Sequence, residues 1–163
     1  MIAVDTNVLI YAVAEDDPHH TASRRLVEAV AAGLLSACVF PQNLLEFYAV
    51  TTNPRRMARP LTSAEAMNEI ATLRAIFLVA MPKESSVDRL AELTASTCVT
   101  AANIFDAFIV AQMLDTGIDT VCTYNARDFE RLPVRASTPE DIMGSFEGPK
   151  DGSGFVQDRP RCP

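Results

Sequence analysis

Three carboxylates, Asp5, Glu46 and Asp106, stand in apolar surroundings that suit a carboxylate poorly. Asp5 follows the run IAV, Glu46 lies in PQNLLEFYAVTTN among Leu44, Leu45, Phe47, Tyr48 and Val50, and Asp106 lies in ANIFDAFIVAQMLDTG. A carboxylate taken out of water without a partner is costly or stays protonated, so each of these asks for a cation. One candidate is arginine, of which the chain has twelve, in buried ion pairs. The other is Mg²⁺, with Mn²⁺ as the alternative ion, which takes a few hard oxygen ligands plus water in octahedral geometry. Such an ion polarises a phosphoryl oxygen and activates water, and a second can stabilise the leaving oxygen, so the chemistry in that case is phosphodiester hydrolysis. Asp5 also has a purely local reading, with Thr6 and Asn7, as the cap of the helix that follows.

A fourth segment, TYNARDF, offers the hydroxyl of Thr123, the amide of Asn125 and the carboxylate of Asp128. Asp128 reads equally well as a helix cap or as a partner of Arg127 or Arg131. The stretch NPRRMARP at 53–60 carries Arg55, Arg56 and Arg59 with no acid. Guanidinium groups there could steer a phosphate backbone, or simply solvate a loop. His19 and His20, in the turn-like EDDPHH, read as capping or solvated residues rather than catalytic ones. No side chain is assigned as general base, which leaves water activated by the cation as the attacking group.

The elements that position these groups alternate. IAV is a short buried strand ending at Asp5, residues 21–32 an amphipathic helix stopped by Gly33, LLSACVF a second strand, and Pro41 opens the Glu46 helix. Thr62 and Glu65 form a capping box for a helix to about Ile76; FLVAM is a third strand, and Ser85 or Ser86 caps a helix to about Thr97. The Asp106 helix ends at Gly117, DTVCT is a fourth strand, VRAS a short fifth, and TPEDIM a capped helical segment. This pattern predicts an α/β fold with three layers, α/β/α, around a central parallel sheet of four to five strands. Ligands of such sheets bind beyond the carboxyl ends of the strands, where Asp5 and TYNARDF fall. Residues 1–143 form one domain, and 144–163, rich in Gly and Pro without periodicity, read as a flexible tail.

Composition narrows the function further. Of 163 residues, 48% are hydrophobic and 21% charged, an ordinary globular mixture, and the net charge of -7 excludes a broad basic nucleic-acid-binding face. A polyanionic substrate then needs a bound cation or a restricted arginine patch. The N-terminus lacks a basic region and its apolar run is broken at Asp5 and Asn7, and nothing approaches a membrane span, so the expected compartment is the cytosol. Cys38, Cys98, Cys122 and Cys162 are scattered and read as reduced. No glycine lies between Gly33 and Gly117, which excludes phosphate-binding glycine loops, and GxSxG, paired-cysteine and HExxH motifs are missing as well.

Taken in order, DTNVL, the acid in LLEFYAV, FDAFIVAQMLDTG and TYNARDF resemble the PIN-domain family, specifically the VapC-like toxins of bacterial toxin-antitoxin modules, over residues 1–143. The resemblance implies a Mg²⁺-dependent endoribonuclease with RNA as substrate, usually a homodimer, inhibited by a small antitoxin that occupies the acidic groove. It assigns Asp5, Glu46 and Asp106 to the three acidic positions and Thr6 and Thr123 to hydroxyl positions near the metal. The chain departs from the pattern at Asn125, where many relatives carry an acid, leaving Asp128 as the nearest carboxylate and favouring one metal over two. Two rivals remain: a Mg²⁺-dependent phosphotransfer or phosphatase domain, for which only Lys83 and Lys150 could supply the required lysine, and a catalytically silent PIN-like module that captures an arginine-bearing partner.

Overall fold

A computed structural model of the chain describes residues 1–146, apart from 98, 100 and 102. Its strands are β1 (Ile2–Val4), β2 (Ala37–Val39), β3 (Leu78–Val79), β4 (Thr120–Cys122) and β5 (Arg135–Ser137). The helices are α1 (Thr6–Val13), α2 (His20–Ala31), α3 (Pro41–Thr51), α4 (Ser63–Ile76), α5 (Ser85–Thr97), α6 (Asn103–Thr116), α7 (Ala126–Phe129) and α8 (Pro139–Phe146). The strands form one five-stranded sheet, parallel throughout, in the order β3-β2-β1-β4-β5. The three-layer α/β architecture expected from the alternation is the one observed.

Strand periodicity explains the three layers. Successive side chains point to opposite faces of a sheet. Val4, Ala37, Val39 and Cys122 pack on one face with α1 to α4 and α8, while Ala3, Cys38 and Val121 pack on the other with α5, α6 and α7. Both faces of β1, β2 and β4 are therefore covered, which is why these strands read as continuous apolar runs. Cys38 and Cys122 are buried free thiols pushed above their ordinary range by desolvation, Cys38 to about 11, and act as small core hydrophobes. Cys98 and Cys162 lie outside the described residues.

One expectation needs correction. FLVAM yields only Leu78 and Val79 as strand, because the Phe77 N–H is still bonded to Leu73 O of α4 and only two residues pair with Cys38 and Val39 at the sheet edge. The helix opened by Pro139 runs to Phe146, and 147–163, the greater part of the expected tail, lies outside the described residues.

Gly117 terminates α6 in a left-handed conformation (φ 71), with its N–H on Leu114 O at 3.3 Å and the Ile118 N–H on Met113 O at 2.9 Å. These are the two hydrogen bonds of a Schellman cap. A Cβ added there meets nothing within 4 Å, so strain in the backbone alone opposes a side chain. Gly117→Ala is expected to lower stability by about 1–2 kcal/mol, read as a lower urea midpoint at constant slope.

Candidate active site at the carboxyl edge of the sheet

The strand order reverses direction between β1 and β4, and a crevice opens at such a switch point. Asp5 sits there. Its N–H continues the ladder to Cys122 O at 3.0 Å, and its carboxylate is almost fully buried, 7% exposed. Oδ1 accepts the Thr6 N–H at 2.6 Å, while Oδ2 accepts Asn7 Nδ2 and the Thr123 hydroxyl, each at 2.7 Å. Asp5 is thus both the cap of α1 and the centre of a polar cluster; the local and the chemical readings hold together. Thr123 Oγ1 in turn accepts the Asn125 N–H at 2.9 Å, and Asn7 Oδ1 accepts the Tyr124 N–H at 3.3 Å, which ties the loop after β4 to α1.

Glu46 reaches the same place from α3, but not as a desolvated carboxylate. The helical period turns Leu44 and Phe47 inward and leaves Leu45 and Glu46 exposed, so burial does not by itself demand a cation at Glu46. What holds it is a relay. Thr6 Oγ1 donates to Glu46 Oε2 at 2.7 Å and accepts Asn43 Nδ2 at 3.2 Å, while Asn43 Oδ1 accepts the Phe40 N–H at 2.8 Å. Because the Asn43 amide can only donate at that contact, the Thr6 proton is directed at Glu46. Asp106 enters half-buried on the first turn of α6, and Gln42 Nε2 donates to Phe105 O at 3.0 Å, joining the start of α3 to the start of α6.

A cleft of about 390 Å³ results, lined by Asp5, Thr6, Asn7, Glu46, Asp106 and Asn125 among others. Its carboxylates repel one another. Burial first, then the charges of Glu46 and Asp128, raise Asp5 to about 6 against the bonds from Thr123 and Thr6 that pull it down. Burial, then Asp5, Asp128 and Glu46, raise Asp106 to about 7. Among the described residues none of these three acids is in an ion pair, so the arginine reading of the cluster does not hold there. The donor set is oxygen only. It does not form a closed cage: among the described residues no three Asp, Glu, His or Cys side chains are arranged to grip a metal directly. An ion that keeps several waters and needs only one or two carboxylates suits such an open set, and Mg²⁺ is that kind of ion.

A profile of the PIN domain matches residues 2–134. The chain belongs to the PIN-domain family. It is 31% identical over 131 residues to Ribonuclease VapC24 of Mycobacterium tuberculosis, in strains CDC 1551 and H37Rv alike, covering 79% of this chain and 89% of the relative. Among solved structures, VapBC2 from Rickettsia felis, bound to a DNA fragment from its promoter, superposes with a TM-score of 0.63 at 16% identity over 85% of this chain and 98% of that one. The sarcin-ricin loop cleaving toxin VapC20 of M. tuberculosis gives 0.62 at 17% identity over 82% and 97%. FitAcB from Neisseria gonorrhoeae gives 0.61 at 16% over 85% and 98%. At these identities the structures speak to the fold alone, and they share it.

Elsewhere in this PIN domain the sequence candidates separate. Asp128 lies in α7, exposed, and lines a neighbouring groove with Arg127, Arg131 and Asn103 rather than the cleft, though its charge still acts on Asp5 and Asp106. Of the arginines, Arg56 lines the cleft, Arg59 pairs with Asp16 at 3.6 Å in the adjoining groove, and Arg55 is exposed on the same loop. Lys83 donates to Asp115 O at the far end of α6 and does not line the cleft, which removes the described lysine that a phosphotransfer pocket would need. Lys150 lies outside the described residues.

Two polar residues lining the cleft, Tyr11 and Asp17, went unread in the sequence, as did Asn43, which supports the cleft through Thr6. Asn43 had a signal, since it is the third residue of a helix opened by Pro41, where a side chain can return to the preceding backbone. It is wholly buried. Asn43→Ala leaves the buried Phe40 N–H without an acceptor and is expected to cost about 2 kcal/mol of stability. An unchanged urea midpoint would remove the relay from the account of Glu46.

Proposed function

We propose that this PIN domain is a VapC-like ribonuclease toxin, a divalent-cation-dependent endoribonuclease in which Asp5 and Asp106, with Glu46 across the cleft, hold Mg²⁺ or Mn²⁺. The observation that supports the reading is a pair of repelling carboxylates, Asp5 and Asp106, at the switch point of a PIN fold, with no cation among the described residues paired to them. When bound, the cation neutralises charge at the scissile phosphate and acidifies a water. The chain's own residues do the rest. Thr123, Asn7 and the Thr6 N–H aim Asp5 and keep its lone pairs oriented, the Asn43–Thr6 relay holds Glu46, and Arg56 offers the cleft a guanidinium for a phosphate. An acidic groove of this kind also suits an arginine-bearing segment, so the proposal includes a small antitoxin partner, and a homodimer follows from family likeness.

The second reading, a silent module that only captures such a partner, draws on the open donor set. One assay divides them. Purified protein incubated with single-stranded RNA and Mg²⁺ is expected to cleave it, with cleavage abolished by EDTA and restored by excess Mg²⁺ or Mn²⁺. Cleavage indifferent to EDTA would overturn the cation, and none at all with intact antitoxin binding would establish the silent module. Among the described residues no helix is long and apolar enough to cross a membrane.

A further inference from the structure

The cleft is lined by residues of different chemistry as well, a wall of Ile10, Tyr11, Val50 and Met57 that also carries Arg56 and Asp17. Holding a cation requires none of these. Tyr11 is half-buried and braced from behind: its ring lies 5.2 Å from that of His19, tilted by 42°, and 5.5 Å from that of Tyr124, edge-on at 68°. His19 and Tyr124 stack at 3.9 Å, and His20 Nδ1 meets Tyr11 O at 3.0 Å. Tyr124 is anchored at both ends, its N–H to Asn7 and its hydroxyl to Glu140 at 3.0 Å. The adjacent histidines of the sequence thus serve to hold an aromatic ring at the cleft. Burial and the charges of Asp17 and Asp5 push the Tyr11 phenol above its ordinary range, so it stays a neutral hydroxyl at physiological pH.

We propose that this wall is a nucleobase subsite, in which the base of a nucleotide adjoining the scissile phosphate stacks on Tyr11 beside Met57 while a phosphate pairs with Arg56. The inference rests on the nuclease reading of the same cleft. Every base has a π-face, so a rigid aromatic ring receives it without reading its edge. A base inside a duplex is already stacked on its neighbours; the substrate class is therefore RNA with an unpaired nucleotide at the cut. Arg56 is the one cation among the residues lining this cleft, beside the acids Asp5, Asp17, Glu46 and Asp106, and it gives a phosphate a partner there.

The test uses single-stranded oligoribonucleotides carrying one abasic position, scanned across the cleavage site, and the same oligonucleotides with 2-aminopurine there, on the full chain. At one position the parent protein is expected to lose about 5- to 150-fold in kcat/KM when the base is removed, the range of one stacked base. Tyr11→Leu should lose as much on the intact RNA and nothing further on the abasic one. Tyr11→Phe, which keeps the ring, should preserve the difference. Bound to Asp106→Asn protein, 2-aminopurine at that position should be quenched. Equal cleavage of intact and abasic RNA, with no quenching, would overturn the subsite while leaving the nuclease standing. Quenching without any cleavage by the parent would keep the subsite and overturn the nuclease. Tyr11→Leu weakening an arginine-bearing peptide but not RNA would overturn the proposal and reassign the wall to a protein partner.

Discussion

Asp106→Asn is expected to lower Mg²⁺-dependent RNA cleavage by more than roughly 100-fold, because second-layer partners of metal ligands already cost 10- to 100-fold and this exchange removes a candidate ligand's charge itself. The variant keeps the shape of the side chain. Among the described residues Asp106 has no hydrogen-bond or ion-pair partner to lose, and the exchange relieves the repulsion that its own carboxylate meets from Asp5, Asp128 and Glu46. Its cation-free melting temperature at pH 8 should therefore match or exceed that of the parent, which separates lost chemistry from lost fold. Asp5→Asn should abolish cleavage equally but at a cost in stability of about 1–3 kcal/mol, since Asp5 accepts three donors and an amide would turn its own N–H groups toward one of them. Cleavage at the parent rate by Asp106→Asn would refute the assignment of the site.

The same carboxylates make stability depend on pH in an unusual sense. Asp5 and Asp106 titrate near about 6 and about 7 in the fold, against 3.8 when exposed. Between these values the folded chain binds more protons than the unfolded one, so their contribution is fully present below about pH 4 and is lost as pH rises through 6 and 7. Glu65 and Asp115, held below their ordinary values chiefly by hydrogen bonds from Thr62 and Ser86, act in the opposite sense, but only in more acid solution. Without divalent cations the protein should accordingly be less stable at pH 8 than at pH 5 by on the order of 2 kcal/mol, a fall of several degrees in Tm. Mg²⁺ competes with those protons, and should restore Tm at pH 8 while doing little at pH 5. At limiting Mg²⁺, cleavage should rise across the same window. A Tm that is flat or rising from pH 5 to pH 8 in EDTA would show that the acids are not crowded as described.

Much of this was legible in one dimension. Run length and β-branching located β1, β2 and β4, the Thr62–Glu65 box opened α4, and Gly117 closed α6, because each of those signals acts within a few residues of where it is written. Chain order likewise put Asp5 at a strand end and Asp106 in a helix, while their types left two cations open, an arginine or a metal ion. The local signals misled where packing decides. β3 shrank to two residues because an edge position offers one partner strand and α4 kept the Phe77 N–H. Glu46 looked buried among apolar neighbours, yet the helical period turned it to solvent, and its place is owed to a hydroxyl forty residues earlier. Asp128 lies close in sequence to Thr123, but a single turn of helix aims it at the next groove. The sequence by itself determined which residues could do chemistry and which elements carry them, since type, spacing and period are local properties. Only the tertiary structure decided which of them share a cleft. Convergence of α1, α3, α6 and the loop after β4 at the switch point depends on contacts such as Thr123–Asp5 and Asn43–Thr6, across separations of 118 and 37 residues that no local pattern records.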